Sequence, residues 1–448
     1  MEDKSIGMTK RLAEFIVNTE RSEIPDAVFE HAKVAFMDWL GVTLAGKDDP
    51  LVDKLLQYAD LMGGKEQATI LGHGVKRSVA QAALINGAAS HALDYDDTLW
   101  RFLGHPTVTL FPALLSLSEF KGLSGADVLT AYIIGLKVGS VVASCAGGEH
   151  YMSGYHGTAT MGCLASASAC SRLLRLDKQQ TVYALGIAGT QAAGLKRVFG
   201  TMCKPFHAGR ASEVGLMAAL LSDNGFTSAE DILEGPSGLF QAMKGAVNED
   251  ILDTLGKTWD IEELAQKYHA SCHATHSPIE AAWSTLEKED LSLGDIKSIT
   301  VHSSELGLSA AFRTEANTGL EGKFSIPYCV ANALLRGRGS TGLQAFTEEK
   351  VNDPKIKELM AKISTTQDPE MTGMDARVEV ETNNGEVYSD YSSILNEVPE
   401  LDVKRTKIEE KFTDLCEPIL GSPKTRKLME AISKMEEIKD MNSLIELL

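Results

Sequence analysis

Four short segments of the sequence concentrate side chains that can transfer protons or bind anions. The first is rich in acids and histidines: it runs from His91 to Thr98, contains Asp94 and is followed by His105. Clustered Asp residues bind Mg²⁺ and diphosphate on the α-bundle of class I isoprenoid synthases, but that chemistry needs a second Asp-rich set, which this sequence lacks. The structural interpretation is a solvated acidic helix end, but the two histidines and the apolar helices on either side are unusual for a simple loop.

Two further segments place a histidine or cations at the start of a small-residue helix. Residues 154–160 contain His156, and the free backbone N–H groups of a helix start can bind a carboxylate or phosphate. Residues 203–210 contain Lys204, which can neutralise an anion. Taken alone, the first segment favours a structural histidine, and the second favours a capped helix that carries surface cations.

The fourth segment, residues 267–278, contains Lys267, Cys272 and three histidines. The histidines have the spacing H-x-x-x-H-x-x-H, which on a single helix would allow zinc binding. Pro278 follows shortly after them and predicts that the segment leads into a helix instead of forming one, which weakens the zinc interpretation. Tyr328 follows a proline at another predicted helix start, where a core tyrosine is the usual interpretation.

Helical periodicity predicts the elements that carry these segments. Apolar residues recur at helical spacing in the ranges 22–46, 78–93, 112–120, 127–144, 159–174, 180–195, 210–221 and 229–233. Several of these helices are rich in Ala, Gly, Ser and Thr, and small side chains let helix backbones approach one another closely. We therefore predict that the chain is all-α up to about residue 265.

The pattern changes near residue 290. Residues 296–301 and 376–382 are rich in β-branched residues, and a second run follows at 386–388. The intervening Asn383-Asn-Gly385 predicts a hairpin, because both central residues of such a turn need a positive φ. Residues 353–363 have a helical pattern between the strands.

These patterns predict a mainly α fold with two domains. The length of 448 residues suits two or three domains at about 150 residues each. The helical pattern returns after residue 404. We expect a large all-α helical domain from residues 1–268 and 404–448, with a smaller α+β lid domain inserted at 269–403.

Composition limits the classes of partner and the compartment. The 43 Lys and Arg against 62 Asp and Glu give a net charge of −19, which argues against nucleic-acid binding. A local lysine cluster can still bind a small anion. The seven cysteines contain no C-x-x-C pair, which argues against a disulfide framework or an iron–sulfur site. The first residues lack the apolar core of a signal peptide, and residues 151–171 are too weakly apolar for a membrane span. We expect a cytoplasmic protein.

In combination, the segments resemble the MmgE/PrpD family, which includes 2-methylcitrate dehydratases, cis-aconitate decarboxylases and an iminodisuccinate epimerase. The matching stretches follow the family's order over about three quarters of the chain. They are HALDYDDT (91–98), GHP (104–106), GYHGTATMG (154–162), ALGIAGTQAAGL (184–195), KPFHAGRASEVGLMAALL (204–221), ATHSPIEA (274–281) and KFSIPY (323–328).

The resemblance implies a homodimer without metal, nucleotide or organic cofactor. By the same resemblance, the expected catalytic residues are Asp94, His105, His156 and Tyr328, and the expected substrate-binding residues are Lys204, Lys267, Thr98 and Cys272. Cys272 occupies a position where the decarboxylases carry a histidine, which favours another activity of the family.

The resulting hypothesis is a cofactor-independent lyase that removes a proton next to a carboxylate of a small di- or tricarboxylate. A hydro-lyase like 2-methylcitrate dehydratase is the first expectation. An epimerase and a cis-aconitate-type decarboxylase are the alternatives within the family. From other classes, a metal-dependent bundle enzyme and an inactive family member that acts as an interaction protein remain open. The joint presence of two lysines and a histidine at site positions argues against the inactive protein.

Overall fold

The computed structural model describes residues 7–337, 339–394 and 398–448. Within these residues the chain forms two compact units. Unit 1 comprises residues up to 92, 96–266 and 400–448, and unit 2 comprises 93–95 and 267–399. The start of the expected all-α domain and residues 338 and 395–397 of the expected α+β domain lie outside the described residues. The lid role of the α+β segment stays a prediction.

Helices dominate both units, and the sheets are small. The helices are α1 Met8–Asn18, α2 Asp26–Ala45, α3 Pro50–Met62, α4 Val79–Ala92, α5 Thr107–Lys121, α6 Gly125–Met152, α7 Gly157–Leu173, α8 Lys178–Gln191, α9 Cys203–Asp223, α10 Leu239–Met243, α11 Glu249–Leu252, α12 His276–Lys288, α13 Glu305–Ala310, α14 Gly319–Gly322, α15 Ile326–Arg336, α16 Glu348–Val351, α17 Pro354–Met360, α18 Leu401–Leu420, α19 Ser422–Ser433 and α20 Asn442–Ile445. The strands are β1 Ala68–Ile70, β2 Val75–Arg77, β3 Ile296–Ser303, β4 Ile363–Gln367, β5 Ala376–Thr382 and β6 Val387–Ser392. The prediction of a mainly α protein is confirmed.

Unit 1 departs from the sequence prediction in two places. It is not all-α, because β1 and β2 pair as an antiparallel hairpin. The connecting loop needs positive φ values at Gly72 and Gly74, which glycine adopts without strain. The helix expected at 229–233 is instead a series of turns, since that short apolar stretch covers only one helical turn.

Helices α4 and α9 cross at glycines. A Cβ atom on Gly209 of α9 would lie 2.0 Å from the carbonyl oxygen of Leu84 in α4. A Cβ atom on Gly87 of α4 would lie 2.6 Å from the Cα atom of Gly209. Because each glycine faces backbone atoms that cannot rotate away, only the absence of side chains permits this approach. The contact brings the end of α4 beside the start of α9, as the small-residue composition predicts.

The loop before α5 lies against the start of α7 through a second pair of glycines. A Cβ atom on Gly104 would lie 2.7 Å from the backbone nitrogen of Thr158. A Cβ atom on Gly157 would lie 2.6 Å from the carbonyl oxygen of Leu103. Leu103 itself has a φ of 49°, a left-handed conformation that non-glycine residues rarely adopt. The loop is therefore held close to α7 at the point where the sequence places its histidine.

Unit 2 is built on a four-stranded sheet with the order β4-β3-β5-β6. Strand β3 pairs in parallel with β4 and antiparallel with β5, and β5 pairs antiparallel with β6. The residues of β5 alternate between buried and half-buried positions, and helices α12 and α15 contribute apolar side chains to the same core. The hairpin predicted at Asn383-Asn-Gly385 connects β5 and β6 and is confirmed, whereas β4 was missed because its sequence, ISTTQ, contains a single strongly apolar residue.

Helix α6 is the one described helix long and apolar enough to cross a membrane by length and composition. Within the protein, 94% of its apolar window is buried, which is typical of a helix in a protein core. Its helical geometry is interrupted at Gly147, where φ is 72°. Burial among other helices therefore accounts for its apolar sequence.

The glycine crossing predicts the effect of a single methyl group. Gly209→Ala should lower the free energy of unfolding by about 1–3 kcal/mol, because backbone atoms of α4 would have to move. Gly148→Ala is the matched control, since a Cβ atom there meets nothing within 4 Å and the position is helical. Urea unfolding followed by circular dichroism measures both. Equal stability of the two variants would contradict the packing argument.

Candidate active site

In unit 1, one buried carboxylate lies between two histidines. Asp96 Oδ1 and Oδ2 lie 2.9 and 3.0 Å from His91 Nδ1, and Oδ2 lies 2.8 Å from His105 Nδ1. His91 comes from the end of α4, and the other two residues belong to the following loop. All three side chains are buried, and the two imidazole rings lie 4.4 Å apart. The arrangement is a His–Asp–His triad.

The triad holds a negative charge in the interior of the unit. Burial by itself raises the pKa of Asp96, but the charges and hydrogen bonds of His91 and His105 outweigh it and hold this pKa well below its usual value. Asp96 is therefore ionised at neutral pH. An ionised carboxylate only accepts hydrogen bonds, so the Nδ1 atom of His91, which hydrogen-bonds to Asp96, carries a proton.

The adjacent carboxyl group, that of Asp97, has its pKa shifted in the opposite direction. Asp97 is fully buried, and burial, followed by the proximity of Asp38 and Asp96, raises its pKa well above the usual value. Asp97 is therefore protonated where Asp96 is charged. Neighbouring acids whose pKa values are driven apart by their surroundings are typical of sites that handle protons.

A second pair of histidines lies at the start of helices α7 and α9. His156 is the residue before α7, and its Nδ1 lies 3.0 Å from Nδ1 of His207 in α9. Phe199 packs edge-on against His156, with ring centroids 4.9 Å apart, and lies beside the ammonium group of Lys204 at 5.6 Å. The rings of His156 and His91 are 6.3 Å apart, so this pair adjoins the triad.

The second pair is neutral. Burial, followed by the charge of Lys204, lowers the pKa of His156 well below its usual value. Burial and the nearby His91 and Lys204 also lower the pKa of His207 to about 4. The sequence alone does not reveal this lowered pKa, because it depends on burial beside a lysine. A neutral imidazole beside a buried ammonium can accept a proton or donate a hydrogen bond to an anion.

Thr98 is held by a short backbone bridge. Its backbone N–H donates to the carbonyl oxygen of Ala265 at 2.9 Å, and the N–H of Ala265 donates back at the same distance. The buried Lys404 of α18 donates to the carbonyl oxygens of Glu262 and Leu264 at 3.1 and 2.9 Å. Helix α18 therefore fixes the segment that positions Thr98.

In unit 2, Lys267 and Asp94 are brought together. The ammonium group of Lys267 lies 2.7 Å from the carbonyl oxygen and 3.2 Å from Oδ1 of Asp94. Lys323 donates to the neighbouring carbonyl oxygen of Leu93. Both lysines are buried, and Asp94 has a φ of 52°. Such a strained backbone, held by two lysines, is typical of a functional position.

The other two expected site residues of unit 2, Tyr328 and Cys272, each contact a different part of the unit. Tyr328 is fully buried at the start of α15, and its hydroxyl donates to the carbonyl oxygen of Ala345. Burial raises its pKa above the usual value. The backbone N–H of Cys272 donates to the carbonyl oxygen of Lys323 at 2.9 Å, and its half-buried side chain packs on the apolar core. The catalytic role of Tyr328 and the binding role of Cys272 stay predictions.

Three ring nitrogens of the H-x-x-x-H-x-x-H segment lie at hydrogen-bond distance from protein atoms. His269 lies 2.7 Å from the hydroxyl of Thr341 through Nδ1 and 3.2 Å from Glu280 through Nε2. His276 Nε2 lies 3.3 Å from the carbonyl oxygen of Ser271. Helix α12 begins only at His276, as the proline predicts. These contacts oppose the zinc interpretation.

Three functional candidates were not assigned from the sequence: His91, Asp96 and His207. Each lies inside a motif that the sequence analysis had singled out, so the motifs carry the only signal for them. The spacing alone does not distinguish Asp94 from Asp96 as the carboxylate that orients a histidine. In the structure Asp96 bridges two histidines and Asp94 binds Lys267.

Comparison with known proteins matches nearly the whole chain. The MmgE/PrpD N-terminal domain matches residues 10–250, and the MmgE/PrpD C-terminal domain matches residues 269–437. A cis-aconitate decarboxylase of Aspergillus terreus is 25% identical over 99% of this chain and 96% of its own. The cis-aconitate decarboxylase of Mus musculus is 24% identical over 98% and 93%, and that of Homo sapiens is 25% identical over 98% and 94%.

The contrast between the two adjacent acids predicts how stability depends on pH. Because folding raises the pKa of Asp97, its stabilising contribution is full below the unfolded pKa and is lost as pH rises towards the folded pKa. Asp97→Asn should therefore gain stability relative to the native protein between pH 5 and 7, by up to about 1.4 kcal/mol per pH unit.

Urea unfolding of both proteins at the two pH values measures this difference. The exposed Asp223→Asn variant controls for the removal of one formal charge from the chain. A stability difference between Asp97→Asn and the native protein that does not change with pH would show that Asp97 is ionised in the folded state.

Proposed function

The chain belongs to the MmgE/PrpD family of lyase-type enzymes, and we propose that it acts on a small di- or tricarboxylate without a metal or organic cofactor. The observation that carries this proposal is the grouping, within unit 1, of the Asp96 triad, the neutral His156–His207 pair and the buried Lys204. Together they provide proton-transfer groups and a cation in one small buried region.

The reaction class follows from the charge that such a site stabilises. Breaking a bond next to a carboxylate leaves a carbanion whose negative charge spreads onto the carboxylate oxygens. Lys204 and the backbone N–H groups at the start of α7, residues Gly157 and Thr158, can stabilise that charge. The neutral His156 and the Asp96-bound His105 can move the proton.

Two reactions within this class have specific support. Loss of CO₂ is favoured because several relatives that match this chain over almost its full length are named cis-aconitate decarboxylases. Loss of water is favoured by Cys272, which lies where we expect a histidine in the decarboxylases. We place decarboxylation first, because the full-length similarity involves more of the chain than one substitution. A homodimer and a cytoplasmic location remain predictions.

One assay distinguishes these reactions. The chelator-treated protein is incubated in D₂O with cis-aconitate, 2-methylcitrate and a panel of other di- and tricarboxylates, and NMR follows the products. Decarboxylation appears as loss of CO₂ with deuterium on the product, dehydration as a new alkene, and epimerisation as deuterium uptake without loss of a group. Failure to alter any carboxylate in the panel would contradict the proposal.

Substitutions at two positions should separate charge stabilisation from proton transfer. Lys204→Met should raise KM and lower kcat together, since the ammonium group attracts the substrate and binds the developing carbanion more strongly. His156→Gln should mainly lower kcat, by about 10²–10⁴-fold, because Gln cannot exchange a proton. Near-normal kcat with weak binding in His156→Gln would make His156 a positioning residue.

Activity should survive exhaustive chelation. Both Nδ1 atoms of the triad lie at hydrogen-bond distance from the same carboxylate, at 2.8–3.0 Å. A zinc ion bound to these atoms at about 2.0–2.2 Å would displace those contacts. Turnover is measured after dialysis against EDTA and again after addition of single divalent cations. Full loss with recovery by one cation would contradict this expectation.

A further inference from the structure

We propose that His207 is a positioning residue that shares a single Nδ1 proton with His156, so that the two rings relay protons between the substrate and solvent. The inference deepens the proposed function and rests on it for the chemical step. Its structural part, the opposite tautomers of the two rings, concerns unit 1 without any substrate.

The opposite tautomers follow from the contact between the two rings. Nδ1 of His156 lies 3.0 Å from Nδ1 of His207 with the geometry of a hydrogen bond. A neutral imidazole carries its single proton on one ring nitrogen and accepts at the other. Two lone pairs at this distance would repel each other, as would two N–H groups. One Nδ1 atom therefore donates and the other accepts.

Both rings are neutral, so one proton lies between them. Burial, followed by the charge of Lys204, lowers the pKa of His156 well below its usual value. Burial, followed by the charges of His91 and Lys204, lowers the pKa of His207 to about 4. A further positive charge beside a buried ammonium group is unfavourable. The pair therefore moves a proton by exchanging tautomers and does not store it as a charge.

One stretch of backbone holds the two rings against each other. The N–H of His156 donates to the carbonyl oxygen of Gly194 at 3.0 Å. The carbonyl oxygen of His156 accepts from the N–H groups of Ala159 and Thr160 in the first turn of α7, at 2.9 and 3.1 Å. Gly194 also lies against the second ring, since a Cβ atom there would be 3.4 Å from Nδ1 of His207. The distance between the rings is therefore fixed by the main chain.

The contact leaves both Nε2 atoms for other partners. Within the described part of the chain, the only side-chain hydrogen bond of either ring joins the two Nδ1 atoms. His156 is 2% exposed, whereas His207 is half-buried and follows the exposed residues 201–203. Of the two rings, His207 is therefore the one that exchanges protons with water.

The pair delivers a proton when CO₂ leaves the substrate. At the start, Nε2 of His156 and Nδ1 of His207 carry the protons. The bond to CO₂ breaks, its electron pair stays on the substrate as a carbanion, and the carbanion takes the Nε2 proton of His156. As it does so, the Nδ1 proton of His207 moves to Nδ1 of His156. Water supplies a proton to Nε2 of His207 and becomes hydroxide, so both rings remain neutral and have exchanged tautomers.

Proton removal uses the same path in the opposite direction. Nε2 of His156 accepts the proton of a C–H bond next to a carboxylate, and the electron pair of that bond stays on the substrate. The Nδ1 proton of His156 passes to Nδ1 of His207, whose Nε2 proton passes to water. Between turnovers, exchange with water at the two Nε2 atoms restores the starting tautomers.

The shared proton is measurable without any substrate. In protein labelled with ¹⁵N-histidine, long-range ¹H–¹⁵N spectra give the fraction of each ring that carries its proton on Nδ1. The loss of signals in His156→Gln and His207→Asn assigns the two rings. We expect the two fractions to add up to one shared proton at neutral pH. Two Nδ1–H tautomers, or two Nε2–H tautomers, would overturn the proposal whatever the activity of the variants.

The kinetic test replaces His207 by asparagine, which can hydrogen-bond to His156 but cannot pass a proton from one atom to another. His207→Asn should lower kcat by about 10²-fold with a small change in KM, at the lower end of the range for a positioned acid–base group. In the His156→Gln background the same substitution should change kcat less than about threefold, since His207 acts through His156. His73→Asn, at a half-buried histidine that contacts the carbonyl oxygen of Lys47, is the matched control and should retain the native kcat.

Chemical rescue separates proton transfer from packing. In His207→Ala, added imidazole can occupy the space of the lost ring and pass a proton from one nitrogen to the other. N-methylimidazole has a similar shape, but its methylated nitrogen cannot carry a proton. We expect imidazole to restore kcat and N-methylimidazole to leave it low. Equal recovery with both compounds, or recovery with neither, would overturn the relay.

The outcomes separate this inference from the proposed function. If the native protein converts no carboxylate but its two rings share one proton, the function fails and the pairing stands. If the native protein is active and His207→Asn retains its kcat, the relay is wrong and the function stands. Equal losses from His207→Asn in both backgrounds would also overturn the relay, because they would indicate a structural effect independent of His156.

Discussion

The close approach of helix backbones at glycines is the constraint on which the site of unit 1 depends. Gly87 and Gly209 bring α4 and α9 together, and Gly104 and Gly157 bring the triad loop onto α7. The functional side chains lie at the ends of these same elements. His91 follows Gly87 by four residues, and His207 precedes Gly209 by two. A change in helix separation would therefore alter the distances between the imidazoles directly.

Burial gives the site its electrostatic character. The same low-exposure environment that neutralises Asp97 would also neutralise Asp96, if two imidazole N–H groups did not stabilise its charge. Burial, followed by the charge of Lys204, keeps the imidazole of His156 uncharged. The protein thus holds one fixed negative charge at Asp96 and one fixed positive charge at Lys204, with a neutral imidazole beside the lysine. Such a fixed arrangement needs little reorganisation when charge develops on a substrate.

The acidic surface and the cationic site are compatible. The net charge of −19 is spread over the whole chain, whereas Lys204 is 5% exposed. Surface charges are screened over about 8 Å at physiological salt, but buried charges are screened much less. Under the proposed function, the buried Lys204 would therefore attract a small polycarboxylate at short range despite the overall negative charge.

The sequence by itself determined the helices and the motifs. Periodic apolar residues indicate the long helices because burial of one face is a local, repeating requirement, and Asn383-Asn-Gly385 indicates the hairpin because its turn demands positive φ. The motifs likewise identified the family and the segments that contain Lys204, His156 and His105. These properties are readable because each depends on residues that are close together in the chain.

Only the tertiary structure decided which atoms meet. Asp94 and Asp96 are two residues apart, yet the first binds Lys267 and the second bridges His91 and His105. Asp94 has a left-handed backbone conformation, which changes the direction of the chain between the two residues. The spacing of apolar residues in the sequence does not predict this change. The neutral state of His156 was also undecided, because it depends on burial beside a lysine that is 48 residues away along the chain. Contacts between distant segments set these properties, and contacts of that kind exist only in the folded chain.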